Sequence, residues 1–230
     1  AGFPLNRSYL FEPLYMDLII DYEPLSTREE YQPESIMYIC GGASLSHPFV
    51  QDLISWRRLQ GYIVHAVSTA EIGGSSASVV ENYLEGVFST WEAPPEIVGL
   101  IGDTGGTYGI GYHTYDGGAT DVDYSYLLGN DFLPEVFIGR ISVNSSSDLS
   151  NVINKTLTYE RALTQASWWY ERAALVGDPA TSGVSTITTM QYVQNIMENF
   201  GMNDIRTNYS NGNYDSWVED QFDDGILYYH

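Results

Sequence analysis

The chain has 230 residues, with 30 Asp and Glu against 9 Lys and Arg, a formal charge of −21, 43% hydrophobic residues and one cysteine. That size fills one large domain or two small ones, and the apolar share excludes general disorder. The acidity argues against a nucleic-acid partner and against docking on anionic membranes; no apolar run approaches a spanning helix, and one cysteine excludes an internal disulfide framework.

Lys155 is the only lysine, and such an acidic, Lys-poor surface fits an extracellular or saline setting. The start, Ala1-Gly2-Phe3-Pro4, lacks the charged and apolar regions of a signal peptide. Residues 1–34 read as the end of an upstream region or a linker. They hold a strand-like run, Leu14 to Tyr22, and an acidic, Pro-containing stretch.

An alternating pattern follows. Ile36 to Cys40 is a short apolar run ending in Gly41-Gly42, the mark of a buried strand. Phe49, Leu53, Trp56 and Leu59 repeat at helical spacing, with Gly61 as the stop. Tyr62 to Val67 is a second strand. The run from Ser75 to Trp91 carries a continuous apolar helix face. Ile97 to Ile101 is a third strand, closing in Gly102-Asp103. Residues 104–120 are Gly-rich and read as a loop, and Val136 to Arg140 is a fourth strand. Ser145 to Asp148 caps a helix reaching about Leu163. The alternation then restarts: a strand at Ala173 to Val176, a helix at Ile187 to Phe200, a strand at Asp204 to Thr207, a helix at Tyr214 to Phe222 and a strand at Ile226 to Tyr229.

Such alternation predicts an α/β fold with mostly parallel sheets. Residues 35–146 form a first α/β subdomain, 147–163 a connecting helix, and 164–230 a second subdomain that reads as incomplete. The chain is therefore read as a fragment.

Parallel sheets place ligands at the carboxyl ends of their strands, where Asp103, Asp178 and His230 stand. Each also reads as an ordinary capping residue. Cys40 lies inside an apolar strand and reads as buried and inert. His47 and His65 read as structural, and His113 lies in a loop without an obvious partner. No HExxH, CxxC, GxSxG or Walker A pattern occurs, and the Gly102–Gly106 stretch opens no helix, so nucleotide binding is a weak third reading. Asp121, Asp123, Asn130, Asp131 and Glu135 crowd one turn-rich stretch. Their oxygens suit a hard cation such as Ca²⁺, but the spacing is no EF-hand pattern and by itself favours a solvated acidic loop.

Three stretches carry a resemblance: Ile97 to Asp103, Leu128 to Val143 (which contains GND, then EVFIGR), and the helix ending Tyr159-Glu160-Arg161. With Leu53 to Tyr62 upstream, they resemble the gingipain family of cysteine peptidases from about residue 36 to the last residue. The resemblance implies a caspase-like region of two side-by-side α/β subdomains. It places the catalytic His and Cys beyond residue 230, with His230 matching a position a few residues before the catalytic His. It implies calcium at Asp103, and at a second cluster formed by Asp131, Glu135 and the carbonyls of Leu128 and Leu133. A further family cation site uses an acid and a His that match Val184 and Thr189, which cannot ligate as those residues do, so that site is not carried over. The position that is acidic in the pocket of Arg-specific members matches Thr186, so trypsin-like specificity is not expected; Asp178 is the nearby acid that would substitute.

The expected function is thus a fragment of a secreted or cell-surface, calcium-stabilised cysteine endopeptidase. Its partners are a protein or peptide substrate and the remainder of its own polypeptide, with no nucleic acid and no membrane insertion. The alternative is a non-catalytic pseudo-peptidase or surface-binding module. A variant is the family's sortase-like branch in type IX secretion.

Overall fold

The computed structural model describes residues 7–129, 132–161, 168–179, 184–209, 212, 214–226 and 228–229. The chain divides into two compact units, residues 1–161 and 162–230.

In the first unit, helix α1 (Glu12–Leu18) replaces the strand expected between Leu14 and Tyr22. Pro13 in the first turn fixes a helical φ, and Glu12 favours the helix start. The apolar run lacks period-two alternation, so it served as a short helix as readily as a strand. Phe11 anchors the segment, buried and stacked on Phe137 at 4.3 Å. Leu18 and Ile20 remain exposed.

Strand β1 (Ser35–Cys40) is buried along its whole length. It sits inside a four-stranded parallel sheet with β2 (Ile63–Ser68), β3 (Ile97–Ile101) and, after the hairpin strands β4 (His113–Tyr115) and β5 (Gly118–Thr120), β6 (Phe137–Ile141); the order is β2-β1-β3-β6. That hairpin corrects the reading of residues 104–120 as plain loop: Asp116-Gly117 supplies the two positive-φ positions of its turn.

Alternate side chains of β1 enter opposite layers. Ile36, Tyr38 and Cys40 pack with Val50, Leu53 and Ile54 of α2 (Pro48–Leu59) and with Leu149, Ile153 and Leu157 of α4 (Ser146–Glu160). Met37 and Ile39 pack with Val80, Leu84 and Val87 of α3 (Ala77–Thr90). Helix α4, expected as a connector, belongs to the core of the first unit. It is tied to α2 by the Arg57–Glu160 ion pair, by the Trp56 indole N–H donating to Glu160 at 2.8 Å, and by Arg161 reaching both oxygens of Asp52.

These pairs predict an acid response. Arg57, and more weakly Trp56, hold the Glu160 carboxyl below its ordinary 4.5 despite partial burial. A depressed carboxyl contributes stability that is complete above the unfolded value and is lost as pH falls through the folded one. Glu160→Gln is therefore expected to lower stability near neutrality and to flatten the loss below about pH 4. Denaturation midpoints taken across that range check it; parallel curves for the two proteins would refute it.

The second unit repeats the plan on a smaller scale. Strand β7 (Arg172–Val176) lies between β8 (Asp204–Asn208) and β9 (Tyr228–Tyr229), all parallel, with α5 (Val184–Phe200) and α6 (Asp215–Asp224) as crossovers. Arg172 pairs with Asp204 at 2.6 Å, and Arg206 with Asp224 at 2.8 Å. Helix α5 starts three residues before its expected position.

Candidate functional site

The first unit's sheet ends in a rim built from three turns: Gly41-Gly42 after β1, Gly102-Asp103 after β3, and Ser142 to Asn144 after β6. The ladder continues into them, with the Gly41 amide donating to the Ile101 carbonyl and the Gly102 amide to that of Ile141. The 102–111 loop folds back over the rim. Ile110 N–H returns to the Asp103 carbonyl at 2.8 Å, and Asn144 Oδ1 accepts from Thr107 N–H at 2.8 Å. The approach is too close for side chains: a Cβ at Gly102 would stand 1.9 Å from the Tyr108 carbonyl oxygen, and one at Gly41 2.1 Å from it.

Arg140 at the end of β6 holds this loop. Nε and one terminal nitrogen grip both oxygens of Asp121 at 2.8 and 2.7 Å. The remaining donors reach the carbonyls of Gly102, Asp103, Ile110 and Gly111 at 2.9–3.2 Å. Arg140's side chain is only 9% exposed, so all five donors are used in a largely dry setting. Sequence reasoning missed this clamp, although an arginine closing an apolar strand signals a partner, and Asp121 stood in the acidic stretch.

Asp103 is half-buried on the rim. Its Oδ1 accepts from the Thr104 amide and the Ser142 hydroxyl, both at 2.8 Å; the amide above all holds its carboxyl below the usual range. Beside it lies an open, Gly- and Thr-lined cleft of about 350 Å³ that includes Gly42, Thr69, Thr104 and Thr107.

At the 125–135 turn, Glu135 Oε2 accepts from the amides of Leu127 and Leu128 at 2.6 and 3.1 Å, while its own N–H donates to Ser125. The carboxylate thus closes the loop that carries Leu128 and Leu133, both exposed. Asp131, the expected charged ligand beside them, lies outside the described residues. The donors at hand are all oxygen, the set that calcium takes. Among the described residues no group of three or more His, Cys, Asp or Glu converges on one point.

Among the described residues no imidazole faces the Cys40 thiol. Cys40 is fully buried in β1, and burial pushes its thiol up to about 12; Ser44 and Glu71 are the groups that act on it, and neither is an imidazole. The thiol is expected to resist a disulfide reagent such as dithionitrobenzoate at about pH 8 until the chain unfolds. Stoichiometric release of the chromophore from the folded protein would contradict this. His47 caps α2, with Nδ1 accepting from Phe49 N–H and Nε2 2.9 Å from the Ser146 hydroxyl. His65 packs on Trp91. His113, expected to lack a partner, stands 3.8 Å from Glu81 and edge-on to the buried Tyr124.

In the second unit Asp178 follows β7 and is half-buried; after burial itself, its charge pushes the Tyr214 hydroxyl up. Thr186 lies half-buried in the first turn of α5. A threonine hydroxyl offers no charge to a cationic side chain. His230 lies outside the described residues.

Residues 30–230 match the sequence family described as Peptidase family C25. Gingipain R2 of Porphyromonas gingivalis is 25% identical over 222 residues, which cover 94% of this chain and 30% of the relative. Lys-gingipain of the same organism is 29% identical over 169 residues, 67% of this chain and 10% of the relative. The chain thus spans less than a third of the curated relatives it matches. The crystal structure of the Arg-specific cysteine proteinase gingipain R superimposes with a TM-score of 0.74 at 24% identity, covering 90% of this chain and 48% of that one. A complex of gingipain pro- and mature domains superimposes with a TM-score of 0.73. The fold is therefore caspase-like α/β, and the chain belongs to peptidase family C25, the gingipain-like cysteine peptidases.

Proposed function

We propose that these 230 residues are the structural frame of a secreted cysteine endopeptidase whose nucleophile and base come from outside them. The observation that carries this is the pairing of a family match across residues 30–230 with a single cysteine that is buried, strand-bound and far from thiolate. In the intact protein a thiolate attacks the peptide carbonyl while an imidazole moves the proton to the leaving amine. This chain supplies the sheet rims and loops that position substrate.

Thr186 stands where Arg-specific relatives keep an acid, by the alignment that the motifs suggest, so the pocket takes an uncharged side chain unless Asp178 serves it. Calcium is proposed at the Leu128–Glu135 turn, with Asp131 and Glu135 as charged ligands, the Leu128 and Leu133 carbonyls beside them, and Asp103 as a separate ligand on the rim. The ion would neutralise carboxylates and stiffen the turn that Glu135 already closes. An extracellular setting is supported by the acidic, Lys-poor composition; the type IX route rests on the family resemblance alone. The partners are a protein or peptide substrate and the rest of the polypeptide, in keeping with the pro- and mature-domain complex among the structural neighbours.

The test compares the 230-residue chain with the intact gene product on a mixed peptide library. The intact protein should cleave after uncharged residues and be silenced by iodoacetamide, and Cys40→Ser should leave that activity unchanged. The chain alone should be silent. An intact protein without peptidase activity would leave the pseudo-peptidase reading standing instead.

A further inference from the structure

Glu96 is buried to 2% exposure between the starts of β1 and β6, where its N–H donates to Ser35 O and its carbonyl accepts from Phe137 N–H. Its Oε2 accepts from the Ser35 amide at 3.2 Å. Its Oε1 is buried and makes no hydrogen bond of good geometry, and burial pushes the carboxyl up even though the Ser8 hydroxyl, the Ser35 amide and Gln32 pull it down. A carboxylate left so costs several kcal/mol unless something neutralises it.

The side chain lines a cavity of about 100 Å³. Glu135 lines it too, with Ser8 and Tyr15 from the N-terminal segment and Gln32; aromatic and proline side chains complete the wall. The acids have company but no counter-charge. Burial first, then Glu12, Glu135 and Glu96 in turn, push the Tyr15 hydroxyl up, so three carboxylates surround one phenol. None of the three forms an ion pair among the described residues. Arg7, the cation nearby, is spent on the Glu23 carbonyl and the Tyr22 ring.

We propose that this cavity is a cation site that takes Ca²⁺, with Glu96 Oε1 and the Glu135 carboxylate as charged ligands and the Ser8, Tyr15 and Gln32 oxygens around them. Glu96 supplies one full charge and Glu135, shared with the loop turn, supplies the rest of what a divalent ion needs. The neutral oxygens and room for water fit calcium's irregular shell of six to eight ligands better than magnesium's tight octahedron. Ser8 and Tyr15 belong to the N-terminal segment, whereas Glu96 and Glu135 belong to the α/β framework, so the ion fastens one to the other. Glu96 is unique to the cavity, as Asp131 is to the proposed loop site; Glu135 borders both. The inference is independent of the peptidase reading.

The test uses the metal-stripped 230-residue chain, titrated with Ca²⁺ by calorimetry and with Tb³⁺ by tyrosine-sensitised luminescence. Glu96→Gln is expected to remove one equivalent or weaken it at least about tenfold, whereas Asp131→Asn should retain it. Tyr15→Phe should dim the Tb³⁺ emission of that equivalent. Calcium should slow chymotryptic cleavage near Leu18 in the wild type and in Asp131→Asn but not in Glu96→Gln. Should Glu96→Gln fail to fold, Ser8→Ala is expected to weaken the same equivalent. If Glu96→Gln binds as many ions as the wild type, as tightly and with the same protection, a proton and not a metal neutralises the cavity and the proposal falls.

Discussion

Arg140→Met is expected to destabilise the first unit by about 3–5 kcal/mol, because it strands Asp121 and frees four loop carbonyls at once. The aliphatic part of the side chain is kept, so the loss reports the guanidinium. Arg140→Lys should recover little, since an ammonium cannot grip Asp121 with two parallel bonds and serve the carbonyls too. Adding Asp121→Asn to Arg140→Met should restore part of the loss by removing the unpaired charge. Hydrogen exchange would show where the effect lands: the amides of Ile110 and Gly102 should exchange faster, while those of α2 change only with global stability. A loss under about 1 kcal/mol would mean that the clamp is no more than an exposed ion pair.

Gly102→Ala comes next. A Cβ there meets the Tyr108 carbonyl oxygen at 1.9 Å, backbone against backbone, at a φ of +153°. The atom it meets is backbone and not the loose end of a side chain, so the loop must lift. Overpacking and backbone strain together predict a loss of about 2–5 kcal/mol. Gly105→Ala in the same loop, with open space around its Cβ, should change stability by about 0.5 kcal/mol or less. Thermal melts of the two variants decide the matter. Equal melting temperatures would show that the loop yields freely and that the rim is not held by close packing.

The order of strands and helices was legible because the inner strands β1 and β3 are continuous apolar runs and the helices between the strands repeat an apolar face. Met37 and Ile39 on one side of β1, and Tyr38 and Cys40 on the other, are all apolar, as a strand covered on both faces requires. The errors have local causes. Leu14 to Tyr22 is apolar without a period, and Pro13 decided it for helix. The hairpin at residues 113–120 announced itself only through Asp116-Gly117, in a stretch otherwise rich in glycine.

Site residues were less legible because their partners are distant in sequence. Arg140 meets Asp121 and the loop carbonyls only after β6 has docked on β3. Glu96, following Pro94-Pro95, carries no signal of burial in the sequence; only the packed N-terminal segment reveals it as buried. Asp103 and Glu135 drew attention through their position and through the family motifs, but hydrogen bonds to Thr104, Ser142, Leu127 and Leu128 are properties of the fold alone.

The placement of Cys40 has a use outside catalysis. Strand β1 is bordered by β2 and β3, and its pairing with β3 joins Ile36 to Ile97 across a helical crossover on each side. Such a strand is expected to close after the local helices form, because pairing segments this far apart in sequence costs loop-closure entropy. The chain's one thiol is therefore expected to act as a clock for closure of the helix layer over the sheet: accessible until α2 and α4 pack on β1, and shut off when they do. Timed alkylation during refolding would read that moment directly, with no engineered label.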